Sequence, residues 1–181
     1  MMSVVPLIGL FLFLAHIIAG QIHIARQAAS LRQLCGLAVK AGSLVHELQA
    51  ERGKTAGFVA GKGAVPHPEL KEQRGKTDTA AREITDYLSR HKKDIADAEL
   101  AGAINAAWKN MAGLENVRQS VDAAKFSPQQ TIEYYSRLND SFLRIISRVP
   151  PLMTKSEFFP SLAAYLDLLY LKENAGIERA V

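Results

Sequence analysis

An arginine at an inward-facing helical position needs a partner, and the sequence holds two such arginines. Val45, Leu48, Arg52, Ala56 and Val59 advance by three, four, four and three residues, which puts Arg52 on the apolar stripe of a helix. Near the C-terminus, Ala164, Leu168, Leu171, Ala175 and Arg179 advance by four, three, four and four, a second stripe that ends in an arginine. A guanidinium does not shed its proton, so in an interior it must meet a carboxylate, several carbonyls or a bound anion. Two chemistries follow. Either Arg52 sits in a structural ion pair with an acid such as Glu173 or Glu178, or the two arginines converge on a small planar oxyanion, each guanidinium offering two parallel donors. Gly53 and Gly176, close in sequence to the arginines, would let backbones approach and leave room for such a ligand.

Other chemistries fail on spacing. Gly53-Lys54-Thr55 and Gly75-Lys76-Thr77 resemble the end of a phosphate-binding loop, but the glycine that must precede each by five residues is Leu48 in one case and Leu70 in the other. Both lie in amphipathic helical patterns, where mid-helix amides are already bonded. Cys35 is the only cysteine, which excludes an intrachain disulfide and suits a small packing residue. No His-x-x-x-His or related spacing assigns a metal, and neither a nucleophile elbow nor a Gly-rich phosphate loop points to catalysis. The expectation is a binding module with no cofactor, no metal and no catalytic residues. A net charge of +4, with basic residues scattered among acids rather than gathered with aromatics, argues against nucleic acid as a partner.

The elements that must position these residues are helices. Leu, Ala, Glu, Gln, Lys and Arg dominate, and period-two runs of Val, Ile and Thr are hard to find. The stretch from Ser3 to Gly20 is apolar over about the minimum length of a membrane helix, with His16 its single titratable side chain, and it predicts a transmembrane anchor over residues 1–20. One long helix then runs to about Ala60 and is read as continuous with the anchor. Gly61 to Pro68 is a turn; a second helix spans roughly Glu69 to Arg90. A third, Ile95 to Ala123, carries Leu100, Ile104, Trp108, Met111, Leu114, Val117 and Val121. Ser127 caps a fourth with Pro128 at its first position, and Val149-Pro150-Pro151 ends it. A fifth begins near Ser156 and tolerates Pro160 in its first turn. Short connections between long helices imply antiparallel neighbours in an all-α, up-down bundle over residues 21–181. The chain stops inside a helical pattern, so we read it as a fragment that lacks the end of its domain.

The stretch LVHELQAERGKTAGFVAGKG, Leu44 to Gly63, resembles the opening signature of the NIT domain, a nitrate- and nitrite-sensing helical domain of bacterial receptors. LKEQRGKTDTA, the segment VRQSVDAAKFSPQQTIEYYSRLNDSFLRII and the closing LAAYLDLLYLKENAGIERA follow in the expected order, so the resemblance covers roughly Leu31 to the C-terminus. It implies a sensory module that binds nitrate or nitrite and passes a helix rearrangement to an output domain downstream, in chemotaxis, cyclic-dinucleotide or kinase signalling. It makes Arg52 and Arg179 the anion's ligands, with His46, Glu51, Thr55 and Glu178 at supporting motif positions. Thr55 stands where many relatives have serine. Arg26, Arg32 and Lys40 follow the anchor and no basic residue precedes it, which on charge alone puts the sensor in the cytoplasm. The family architecture instead implies a bacterial inner-membrane receptor with a periplasmic sensor domain, as a homodimer, and we adopt that expectation.

Overall fold

The structure is a computed structural model, and it describes residues 4–61, 68–91, 95, 97–153 and 159–178, with the side chains of 4–7, 153 and 159 excepted. Among these residues every regular element is helical: α1 (Val4–Ala60), α2 (Pro68–His91), α3 (Ala98–Met111), α4 (Leu114–Asp122), α5 (Pro128–Ser147), a short 3-10 turn (Pro150–Met153) and α6 (Phe159–Glu178). Of the expected turn at Gly61 to Pro68, residues 62–67 lie outside the described set, as do the expected start of the last helix at Ser156 and, with it, Arg179.

The predicted anchor and the helix after it are one element of 57 residues, about 85 Å long at 1.5 Å per residue. Its two parts differ in surroundings. Every residue from 8 to 30 is exposed, including Ile8, Phe11, Leu12, Phe13, Ile18 and Ile24, and this part is long and apolar enough to cross a membrane by length and composition. From Leu34 the apolar stripe turns inward, and Leu37, Ala41, Leu44, Val45 and Leu48 are buried. There α2 and α5 lie along α1, α3 packs on α5, and α6 packs on α5 and α1. The core between them is completed by Ile84, Leu100, Tyr135, Leu138, Phe142, Ile145 and Ile146, with the Trp108 ring edge-on to Phe142 at 5.7 Å. Each such side chain contributes about 1.5–3 kcal/mol by leaving water. Glycine decides how closely two neighbours approach α1. Gly36 and Gly42 face the phenol ends of Tyr87 and Tyr165, where a methyl group would collide with the ring, and Tyr87 uses the space to donate to the Gln33 carbonyl at 2.8 Å.

Local caps set the element ends. Asp97 Oδ1 accepts from the Leu100 amide at 2.7 Å to open α3, and Ser127, the expected cap of α5, forms a reciprocal capping box with Gln130. The single helix expected over Ile95 to Ala123 is instead two. It breaks at Ala112-Gly113, where the Asn110 carbonyl accepts from Gly113 N–H and from the Tyr134 hydroxyl. Glycine's low helix propensity permits the break. The apolar spacing survives it, because Leu114, Val117 and Val121 are still buried. After α4, Ala124 takes φ of 54°, with Lys125 N–H bonded to the Ser120 carbonyl and Ala124 N–H to that of Val121, the left-handed stop that glycine usually makes.

The last helix corrects a second expectation. Ala164, Leu168, Leu171 and Ala175 do not face the interior; all four are exposed, Leu168 and Leu171 by 63% and 66%. The buried side of α6 carries Leu162, Leu169 and Glu173. This helix is apolar on two faces, so periodicity alone could not say which one meets α1 and α5.

Candidate functional site

Glu51 and Arg52 are consecutive on α1 and both buried, at 0% and 3% exposure, yet they point into different surroundings. Glu51 faces a polar network that runs outward to Asp78. Arg118 of α4 grips it with two parallel bonds, Nε to Oε1 at 2.7 Å and Nη2 to Oε2 at 2.8 Å, and the Tyr135 hydroxyl donates to Oε1 at 2.7 Å. Arg118 also donates to Asp78 Oδ1 of α2 at 2.7 Å. Nearby, Arg74 pairs with Asp122 through two bonds of 2.8 Å. Burial pushes the Glu51 carboxyl up, but Arg118, Thr77 and Tyr135 beside it outweigh that and hold it below its ordinary value. Burial likewise favours the neutral form of Arg118, and the Glu51 and Asp78 carboxylates override it and raise its pKa. The Tyr135 phenol is driven up by burial and then by the Glu51 charge. The network is therefore ionised as a pair and neutral at the tyrosine.

Arg52 faces α6. Its guanidinium donates to Glu173 Oε1 and, at 2.7 Å, to the Ser136 hydroxyl of α5. Of the two acids named from the sequence as partners, Glu173 is the one; Glu178 is exposed in the last turn of α6. Glu173 Oε2 accepts from Gln49 Nε2 at 2.8 Å and Asn139 Nδ2 at 3.2 Å. Beside this pair lies a cleft of about 570 Å³ between α1 and α6, lined by His46, Gln49, Arg52, Gly53, Lys172 and Gly176 among others. The cleft stays open because the α1 wall is built of Ala50, Gly53, Ala56, Gly57 and Ala60. At the mouth, Lys172 Nζ stands 2.6 Å from His46 Nδ1.

The residues singled out from the sequence therefore separate. Arg52, Gly53, His46 and Gly176 are brought to the cleft; Glu51 and Thr55 are buried elsewhere and do not line it. The two glycines differ. A methyl at Gly176 would come 2.7 Å from Arg52 Nη2, so that glycine does permit a close approach, whereas one at Gly53 would meet nothing within 4 Å and only gives the cleft room. Arg118, Gln73 and Asn139 are buried polar residues that the sequence reading passed over. The signal existed: Leu114, Arg118 and Val121, like Tyr135, Asn139, Phe142 and Ile146, advance by threes and fours, the criterion that selected Arg52.

Chemically, the α1–α6 cleft presents a fork of donors beside a lysine and little negative charge other than Glu173, a setting suited to a small anion. No curated protein matches the chain. Among solved structures it is similar to the one described as the structure of the NasR transcription antiterminator, with a TM-score of 0.78 and 23% identity over 90% of this chain and 46% of that one. That likeness establishes the fold, and this chain spans less than half the length of its neighbour. Residues 43–181 match the nitrate and nitrite sensing family, so the chain belongs to the NIT family.

Proposed function

We propose that this chain is the ligand-binding part of a bacterial membrane receptor and that it takes nitrate or nitrite in the α1–α6 cleft, on Arg52. The observation that carries this reading is a buried guanidinium on the wall of an open, small-residue cleft in a chain of the nitrate and nitrite sensing family. Nitrate's coplanar oxygens accept paired guanidinium bonds, each contributing about 1.5–3 kcal/mol, so a few of them, after association costs, suit micromolar to millimolar sensing. Arg179, just beyond the described part of α6, supplies the second guanidinium. Residues 1–20 anchor the chain in the inner membrane, and residues 21–181 form an antiparallel, up-down bundle on the periplasmic side. Binding biases the packing of α6 on α1, and a homodimer passes that change to an output domain. The chain works as a binding module rather than an enzyme.

A second reading is favoured by one observation, the pairing of Arg52 with Glu173. In that reading the arginines are locked in ion pairs and the bundle serves dimerisation and signal relay, or senses another ligand. Calorimetric titration with nitrate, nitrite and chloride separates the two. The proposed sensor binds nitrate or nitrite saturably and loses binding in Arg52→Ala and Arg179→Ala. Arg52→Lys also fails, since it keeps the charge and loses the fork. Normal nitrate binding by Arg52→Lys would sink the bidentate model.

A further inference from the structure

Glu173 stands where the anion would have to bind. It is 5% exposed, and its carboxylate collects donors from two helices: Arg52 and Gln49 of α1 and Asn139 of α5, with Ser136 of α5 holding the same Arg52 nitrogen. These side chains converge on one small planar anion, and here that anion is the protein's own. A carboxylate and a nitrite ion are both bent three-atom groups with one negative charge shared by two oxygens, and nitrate adds a third oxygen in the same plane. A donor set that fits the first fits the others. A second observation separates this cluster from an ordinary ion pair. Asn139 is fully buried, and its Oδ1, like the buried Oε1 of Gln49, has no hydrogen-bond partner among the described residues. Within the described residues both amides leave an acceptor unsatisfied while turning their NH₂ ends toward the anion.

We infer that Glu173 is a built-in competitor for the ligand, and that Gln49, Ser136 and Asn139 complete the anion site around Arg52. This inference rests on the sensor reading above. Two monovalent anions sharing one buried guanidinium would repel each other, so the incoming oxyanion takes the donors and the Glu173 carboxylate leaves them for the open cleft. The exchange keeps the charge at the site constant. It also removes a tie between α1 and α6 where Arg52 Nη2 lies close against Gly176, one turn further along α6. Ligand binding and release of α6 are then one event. The cost of displacing Glu173 weakens the apparent affinity by the fraction of time that the carboxylate is away.

The test is calorimetric titration of the full chain in detergent with nitrate and nitrite, for wild type, Glu173→Gln and Glu173→Asp, with thermal melts of each. Glu173→Gln removes the competing charge and should tighten binding by about tenfold or more. Glu173→Asp keeps the charge but falls short of Arg52, and it should also tighten binding, by a smaller factor. If wild type binds and neither variant binds more tightly, Glu173 is only structural and the inference fails while the sensor reading stands. Tightening in Gln but not in Asp would mean general charge repulsion, and would equally overturn competition. If Glu173→Gln does not fold, Glu173→Asp carries the test; loss of folding in both makes the pair a structural tie and ends the proposal. Absence of nitrate and nitrite binding in wild type and both variants would remove the sensor reading itself.

Discussion

Two adjacent residues of α1 carry opposite charges into opposite environments. Glu51 ends in a hydrogen-bonded network whose members come from α2, α4 and α5, while Arg52 ends beside a cleft and ties down α6. Both pairs are buried, and both involve an arginine and a glutamate. The second borders the cleft, whereas the first reaches the surface only through Arg118's partners, Asp78 among them, which is half exposed. In the reading proposed above, the same chemistry acts as a structural clasp in one place and stands poised for exchange in the other.

The comparison breaks most directly by removing one arginine at a time. Arg118→Ala leaves the Glu51 carboxylate buried with only hydroxyl neighbours, which should cost about 3–5 kcal/mol in denaturant titration. Arg52→Ala leaves Glu173 with Gln49 and Asn139 as donors and the cleft alongside, and should cost less, about 1–3 kcal/mol. Equal losses would mean that the cleft does not relieve the second site.

Acid titration gives the next largest effect. The folded Glu51 carboxyl titrates below its ordinary value, so in acid the unfolded chain takes up the proton first. Its contribution is complete above the unfolded carboxyl pKa of about 4.3 and is lost as pH falls through the lower folded value. The melting temperature of Glu51→Gln should fall less steeply over that window than that of wild type. An unchanged slope would show that other carboxylates dominate acid unfolding.

The two cleft glycines sharpen the contrast further. Gly53→Ala meets nothing and should add about 1 kcal/mol of helix stability. Gly176→Ala gains the same propensity but pushes on Arg52, so its stability should change little while nitrate affinity drops several-fold. A calorimetric comparison in which both variants bind alike would show that the Arg52 position does not matter. The smallest effect concerns α4, which presents Arg118: Ala124→Gly relieves a left-handed residue at its C-terminal stop and should add about 1 kcal/mol, read as a raised melting temperature.

Much of this was legible before folding. The apolar stripe of α1, the Ser127 cap, the exposed apolar leader and Arg52 as an interior guanidinium all follow from local spacing, because a helix repeats every 3.6 residues whatever it packs against. The break at Gly113 and the inward face of α6 did not. Gly113 sits in an apolar pattern that continues across the break, and α6 offers two apolar faces of which packing selects one. Family motifs set Glu51 and Arg52 side by side, yet residues three or four apart share a helix face while neighbours in sequence do not.

The sequence by itself determined an all-helical chain with an apolar N-terminal stretch and a charged residue at an interior position of α1, since these depend on composition and period alone. Only the tertiary structure decided that Arg52 meets Glu173 rather than Glu178, that Glu51 belongs to Arg118, and that a cleft lies beside the first pair. The physical reason is that a buried charge fixes only the need for a partner, and the relative placement of whole helices selects which partner comes within reach.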